Sequence, residues 1–374
     1  MWQAQGLYSQ YLLRTPVLLT GKESVMGLYN YPGERFAVIH GNSISDKNRI
    51  LLKRVFKKKE VHFFKRSWDG EPALKGLYRT VHELEEYKPD VIIAFGGGSV
   101  IDGAKLCRLL YEFPFFDANR LRIDGSGLKT KFIAIPTTIG SGAEVSSAAV
   151  YWDTENHKKE MVVIHELQPD VVVYDVEYVK GTPNRILYAS ALDGMSHIIE
   201  GYVSKIKNSI AEVLGEKGLD LFFSALSGSD LGVKEFERLQ YAGYMGGIVQ
   251  NHCIVGAAHA VAHQLTGYGY SHGEAVGILL PCVIRKNMSD DFARKQYEAL
   301  AVRTGFGRVE NLLIFLQQIL IKSGIQGRQE ELKNLLTKHL SDEEMLNNII
   351  NDRSGKGNPV PITNEYIEEM VRSL

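Results

Sequence analysis

The chain has 374 residues, of which 44% are hydrophobic and 23% charged, an ordinary globular composition with enough length for two domains. Lys and Arg number 43 against 44 Asp and Glu, a net charge of -1, so no overall field draws the protein to nucleic acid or to an anionic membrane. Cys107, Cys253 and Cys282 are an odd, widely spaced set without a Cys-x-x-Cys pair, which argues against a disulfide framework and fits a reducing cytosol. The opening stretch lacks a basic leader followed by an apolar core, and no apolar run nears the ~20 residues of a membrane span. The expectation is a cytoplasmic protein with no membrane partner.

Strand-like and helix-like segments alternate through the first half. Arg35–His40 (RFAVIH) is a short β-branched run closed by Gly41, and Val61–Lys65 repeats the strand signal. Glu71–Tyr87 carries apolar positions at helical spacing. Asp90–Phe95 (DVIIAF) reads as a buried strand that stops at glycines, Ser99–Tyr111 as a helix, and Lys131–Ile135 as another strand. Ala148–Trp152 and Val171–Tyr174 are further strand runs. Such alternation favours a parallel sheet covered by helices. From about Pro183 onward the pattern is almost entirely helical, which puts the boundary in Asp175–Pro183, with Pro183 as a helix-starting proline. The expected architecture is an α/β domain with a Rossmann-like parallel sheet over residues 1–180 and an all-helical domain over 181–374.

Gly96-Gly97-Gly98-Ser99 follows a strand and opens a helix, with Asp102 and Lys105 in its first turns. Glycines let backbone N–H groups approach a bulky anion, and a helix start supplies unsatisfied donors and the positive dipole end. The spaced G-x-G-x-x-G fingerprint is absent, and a plain strand-to-helix turn would read the same way. Pro136-Thr137-Thr138-Ile139-Gly140-Ser141 leaves the next strand with hydroxyls and a glycine, groups that suit a dinucleotide at the end of a parallel strand, or simply a loop capping the following helix. After the first strand, where an acidic residue would take a ribose 2′-hydroxyl, the chain reads His40-Gly41-Asn42-Ser43, with no carboxylate until Asp46. A small donor-rich turn accepts a 2′-phosphate that aspartate would repel. NADP(H) is therefore expected over NAD(H), with Gly41 and Asn42 at the turn.

Five of the 11 histidines fall between His197 and His272. Asp193 and His197 are four apart in a helical segment, as are His259 and His263, so each pair projects from one face. His272 opens the next helical run, and His252 lies further up the same stretch, where it reads as structural. One carboxylate with imidazoles from separate segments holds Zn²⁺ or Fe²⁺ and leaves a position open for substrate. The residues alone leave open which of these bind. A single buried histidine is more often a hydrogen-bonded core residue; two i,i+4 pairs beside a phosphate turn favour a metal site.

Taken in order, GGGSVIDGAK, PTTIGSGAEVSSAAV, ALDGMSHIIEGYVS and HAVAHQLTGYGYSHGEAVGILLP resemble the motifs of the iron-containing (group III) alcohol dehydrogenases. The resemblance runs from the strand at Phe36 to the tail near Asn358. It implies the dehydroquinate-synthase-like two-domain fold and one divalent metal, Fe²⁺ or Zn²⁺, held by Asp193, His197, His259 and His272. His263 matches a position near the nicotinamide with a proton-relay or substrate-orienting role. Gly97, Gly98 and Ser99 match the pyrophosphate turn, with Asp102 in the same motif, and Thr137, Thr138 and Ser141 match positions lining the cofactor. Gly41 stands where NAD-preferring relatives carry aspartate. A homodimer is implied as well. Two departures stand out: Asn358-Pro359-Val360 replaces the Asn-Pro-Arg of many relatives, and Gly33-Glu34-Arg35 matches only loosely.

The chemistry this implies is hydride exchange between a nicotinamide dinucleotide and a small aldehyde or alcohol, with the ion acting on the substrate oxygen. Reduction of a short aldehyde is the favoured direction, in the cleft between the two domains. Two alternatives stay open: phosphonoacetaldehyde as the substrate within the same family, and a dehydroquinate-synthase-like lyase or cyclase that uses NAD transiently. A non-enzymatic binding protein on the same scaffold is disfavoured because every expected ligand is present.

Overall fold

The computed structural model describes residues 14–114, 127–154 and 158–374. Its described residues divide into two compact units, one formed by those up to 138 and from 143 to 181, the other by 139–142 and 182–374.

The first unit is built on six parallel strands: β1 (Val17–Thr20), β2 (Arg35–His40), β3 (Glu60–Lys65), β4 (Val91–Gly96), β5 (Lys131–Pro136) and, after a hairpin, β8 (Val171–Tyr174). They lie in the order β1-β8-β5-β4-β2-β3. Helices α1 (Asp46–Val55), α2 (Leu74–Tyr87) and α3 (Gly98–Glu112) connect the strands, as parallel pairing requires. β4 and β5 are buried almost throughout, which explains their uninterrupted apolar runs. Phe36, Val38, Val91, Ile93, Phe95, Ile133 and Val173 form the heart of one core. Register brings the carboxyl ends of β2, β4 and β5 level: His40 lies beside Phe95, and Gly96 beside Pro136.

Several details differ from the sequence reading. The strand at Ala148 (β6, Ala148–Asp153) does not join the parallel sheet; it pairs antiparallel with β7 (Lys158–Val163) as a separate hairpin. β7 begins with two lysines and a glutamate, so its apolar signal is confined to the last three residues. β1 is only four residues long, and half of the residues of α1 are charged, which hid both. α2 starts at Leu74 rather than Glu71, because Pro72 and Ala73 are spent on Trp152: the Pro72 carbonyl accepts from the Trp152 N–H, and Ala73 is extended.

The regular elements of the second unit are all helical among the described residues: α4 (Asn184–Val203), α5 (Ser209–Leu226), α6 (Val233–His252), α7 (Ala257–Ala262), α8 (His272–Asn287), α9 (Asp291–Arg303), α10 (Val309–Ser323), α11 (Arg328–Lys338), α12 (Glu343–Asn351) and α13 (Asn364–Ser373), with short 3₁₀ turns between them. From Leu187 onward α4 is buried on nearly every side, the behaviour of a helix that is apolar all round and forms the axis of its domain. The segment Ile139–Gly142 packs with this unit, and Gly140 is needed there because a Cβ would come within 1.6 Å of the Ser190 carbonyl oxygen of α4. No helix among the described residues is long and apolar enough to cross a membrane.

Candidate metal centre and dinucleotide turns

α4 supplies Asp193 and His197, one turn apart on its buried face; α7 supplies His259, and His272 is the first residue of α8. Asp193 and the first two histidines are almost completely buried, while His272 remains partly exposed. The Oδ1 atom of Asp193 stands 3.7 Å from Nε2 of each of His197, His259 and His272. Donors about 2.1 Å from one tetrahedral ion lie roughly 3.4 Å from each other, so the spacing is that of groups arranged around a shared ion. Potential ligand atoms of Asp193, His197 and His259 all fall within 4.8 Å of one another.

The protonation chemistry fits as well. Burial, then the neighbouring His259, holds the His197 imidazole well below its ordinary range, so it is a neutral donor. Nδ1 of His259 donates to Glu200 Oε2 at 2.5 Å, and the buried Nε2 has no hydrogen-bond partner. That nitrogen carries a lone pair aimed at the cluster, a costly arrangement in a protein interior unless a cation completes it. The residues present therefore fit a divalent metal.

Glu200 escaped the sequence reading although a signal existed. It lies seven residues after Asp193 and three after His197, on the same face of α4. Its other oxygen, Oε1, accepts from the Ala258 N–H at 2.8 Å, fixing the start of α7. His263 follows α7, and its ring stacks on His272 at 5.3 Å between centroids. Its Nδ1 bonds Asp352 Oδ2 at 2.9 Å. Burial would raise the Asp352 pKa, but His263 and the Ser354 N–H outweigh it and hold the carboxyl below its usual range. Asp352 too was missed, being 89 residues from its partner. Nδ1 of His252 bonds the Ile248 carbonyl one turn back. Asn358, at the departure from the family's Asn-Pro-Arg, ties Ala257 N–H and Asn287 together.

In the sheet unit the turns after β2, β4 and β5 meet. Gly41 N–H donates to Phe95 O, Thr137 Oγ1 donates to Ser43 Oγ at 3.3 Å, and a Cβ on Gly97 would touch the Thr138 methyl at 3.1 Å. Gly97, Gly98, Thr137, Thr138, Gly41 and Asn42 thus share one end of the sheet, at the carboxyl ends of adjacent strands. Ser141 lies instead in the segment that packs with the helical unit. Ser99 Oγ donates to the Gly70 carbonyl and accepts from Arg66 Nη1 at 3.0 Å and Trp68 Nε1 at 3.2 Å. Asp102 points away, toward β6: its Oδ2 accepts from the Val150 N–H, and Lys105 Nζ lies 3.7 Å from Oδ1.

A sheet unit with glycine- and hydroxyl-rich turns at its strand ends and a helical unit with a buried Asp/His donor set are the parts of a metal- and nucleotide-using enzyme of two-domain build. Two family models match in sequence order: iron-containing alcohol dehydrogenase over residues 17–176, and the C-terminal domain of the Fe-containing alcohol dehydrogenase family over 187–374. The chain belongs to the iron-containing alcohol dehydrogenase family, oxidoreductases that act on CH–OH groups with a divalent metal and NAD(P). It is 28% identical over 320 residues to an alcohol dehydrogenase of Thermococcus barophilus, covering 81% of this chain and 82% of the relative. It is 28% identical over 314 residues to an NADPH-dependent butanol dehydrogenase of Clostridium saccharobutylicum, covering 80% of each. Among solved structures, an iron-containing alcohol dehydrogenase from Thermococcus thioreducens superposes with a TM-score of 0.87 at 26% identity, covering 97% of this chain and 99% of that one.

Proposed function

We propose that the protein reduces a short aldehyde to its alcohol with NADPH, using one divalent cation, Fe²⁺ or Zn²⁺, held by Asp193, His197, His259 and His272. The observation that carries this reading is the equal 3.7 Å spacing of three imidazole Nε2 atoms from Asp193 Oδ1, with Glu200 committing the His259 lone pair to the cluster. When bound, the cation supplies Lewis acidity at the substrate oxygen, and the dinucleotide supplies the hydride.

The chain's own residues do the rest. Asp193 and the three imidazoles fix where the substrate oxygen sits. Asp352 holds His263 by Nδ1, so the proton that the new alkoxide oxygen needs is passed from Nε2, and the imidazole is reprotonated from solvent. Gly97, Gly98 and Ser99 receive the pyrophosphate, and Thr137 and Thr138 line the dinucleotide. The Gly41-Asn42 turn, lacking a carboxylate, favours the 2′-phosphate of NADP(H), in keeping with the name of the clostridial relative.

The test is a panel of short aldehydes offered with NADPH and NADH, after reconstitution with each metal. Consumption of NADPH with the higher kcat/KM, only in metal-loaded protein, is expected. Equal or better kcat/KM with NADH removes the cofactor preference, and full turnover without metal removes the site.

A further inference from the structure

The turn after β2 is flanked on both sides by arginines. Parallel register sets Lys65, the last residue of β3, beside His40, and the Arg66 N–H donates to the His40 carbonyl at 3.0 Å, so residue 66 lies alongside Gly41. Its side chain then reaches the start of α3, where Nη1 donates to Ser99 Oγ at 3.0 Å and to the Gly70 carbonyl at 3.4 Å. On the other side Arg49, from the first turns of α1, brings Nη2 within 2.9 Å of His40 Nε2 and lays its guanidinium over the Phe63 ring at 4.9 Å.

His40 fixes this arrangement through its tautomer. The Gly41 carbonyl only accepts, so Nδ1, 2.8 Å away, carries the proton. A guanidinium only donates, so Nε2 is the acceptor. Burial, with Arg49 and Lys65 adding to it, holds the imidazole below its ordinary pKa, in keeping with a neutral ring. His40 is thus a strut between the turn's backbone and Arg49.

Elsewhere in the chain arginines of similar exposure are paired, as Arg35 is with Glu60 and Arg328 with Glu274. Arg49 and Arg66 form no ion pair with a carboxylate among the described residues; their partners are an imidazole, a ring, a hydroxyl and a carbonyl. Two positive charges without counter-charges thus border a turn of small residues, at the strand end where a parallel α/β sheet receives the ribose. A dianionic phosphate suits that setting, and a guanidinium offers it two parallel donors.

We propose that Arg49 and Arg66 form the two walls of a 2′-phosphate site at the carboxyl end of β2, and that they select NADP(H) positively, beyond the missing carboxylate at Gly41. The inference rests on the NADP(H) reading above and names the side chains that produce it.

The test is calorimetric binding of NADP⁺, NAD⁺, 2′,5′-ADP and 5′-AMP to the metal-loaded enzyme, as wild type and as Arg49→Gln and Arg66→Gln. Wild type should bind NADP⁺ more tightly than NAD⁺, and 2′,5′-ADP more tightly than 5′-AMP, with both margins shrinking as salt rises. Each glutamine variant should lose about tenfold to a hundredfold in NADP⁺ affinity, the range of a charge-assisted hydrogen bond; Arg49→Gln should hold its affinity for NAD⁺, and Arg66→Gln, which also releases Ser99 Oγ, should lose more for NADP⁺ than for NAD⁺. A wild type that prefers NADP⁺, with variants that lose both dinucleotides alike, overturns the arginine assignment and leaves the cofactor reading standing. A wild type that binds NAD⁺ and 5′-AMP as tightly as their 2′-phosphorylated counterparts overturns both. That comparison needs no variant to fold.

Discussion

Glu200 decides which nitrogen of His259 faces Asp193. A carboxylate can only accept, so its 2.5 Å contact to Nδ1 keeps the proton there and leaves Nε2 as the donor atom. Its second oxygen holds the Ala258 N–H, which ties the orientation of the ring to the backbone that carries it. Glu200→Gln puts an amide N–H₂ group against one of these two donors. We expect metal affinity to fall by about tenfold to a hundredfold, measured by competition against a chelator, with the circular dichroism spectrum unchanged. Unaltered metal affinity would show that the His259 ring is held by packing alone. Asp352 plays the matching part for His263, and both carboxylates illustrate what a linear reading loses. Asp193, His197, His259 and His272 were visible because histidines draw attention and their spacings are helical. The residues that orient them are ordinary carboxylates, one inside a quoted motif and one far along the chain, and only three-dimensional contact tells them apart from solvated acids.

At the scale of the element, α3 shows how one helix serves two purposes. Its first residues form the phosphate-ready turn, while its second and third turns carry the buried pair Asp102 and Lys105. Lys105 Nζ also donates to the Ser146 and Ala148 carbonyls, so the helix is pinned to β6. Burial pushes the Asp102 carboxyl up to about 6, with Lys105 opposing, and pushes Lys105 down to about 8, with Asp102 opposing. Lys105→Met leaves the carboxylate without its counter-charge. A folded Asp102 keeps its proton up to about pH 6, against the ordinary 3.8, so its contribution to stability is intact at acid pH and lost as pH rises through that window. Without Lys105 the loss extends to higher pH. The variant should be less stable than wild type by about 3 kcal/mol at neutral pH, and the deficit should narrow toward pH 4 to the part left by the lost carbonyl bonds, as read from urea midpoints across a pH series. A deficit that does not vary with pH refutes the charge argument. The elements themselves were legible where periodicity was strong, as in β4, β5, α3 and α4. They were illegible where length or charge masked it: β1 has four residues, α1 opens with Asp46-Lys47-Asn48-Arg49, and β7 with Lys158-Lys159-Glu160. Nothing in the pattern of Ala148–Trp152 names its partner, since a separate antiparallel hairpin is a fact of pairing rather than of pattern.

For the whole molecule, the division into two units sets an expectation about binding. The residues proposed to hold the metal all belong to the helical unit, whereas Gly97, Gly98, Ser99, Thr137, Thr138 and the Gly41 turn all belong to the sheet unit. Each group is fixed within its own unit: Asp193 and the imidazoles by α4, α7 and α8, the turns by strand register and by contacts such as Thr137 to Ser43. Removing a metal ligand should therefore leave the adenosine and pyrophosphate contacts in place. His272→Ala is suited to the test because His272 is the most exposed of the four and opens its helix rather than sitting within a buried one, so its loss disturbs the core least. The variant should lose bound metal and turnover, while the Kd for NADP⁺, followed by quenching of tryptophan fluorescence, stays close to that of wild type. The reciprocal variant, Gly97→Val, crowds the Thr138 methyl and the turn; it should weaken dinucleotide binding and retain metal by atomic absorption. If stripping the metal weakened NADP⁺ binding by tenfold or more, a coupling of about 1.4 kcal/mol would link the two functions. The assignment of separate binding duties to separate units would then be wrong.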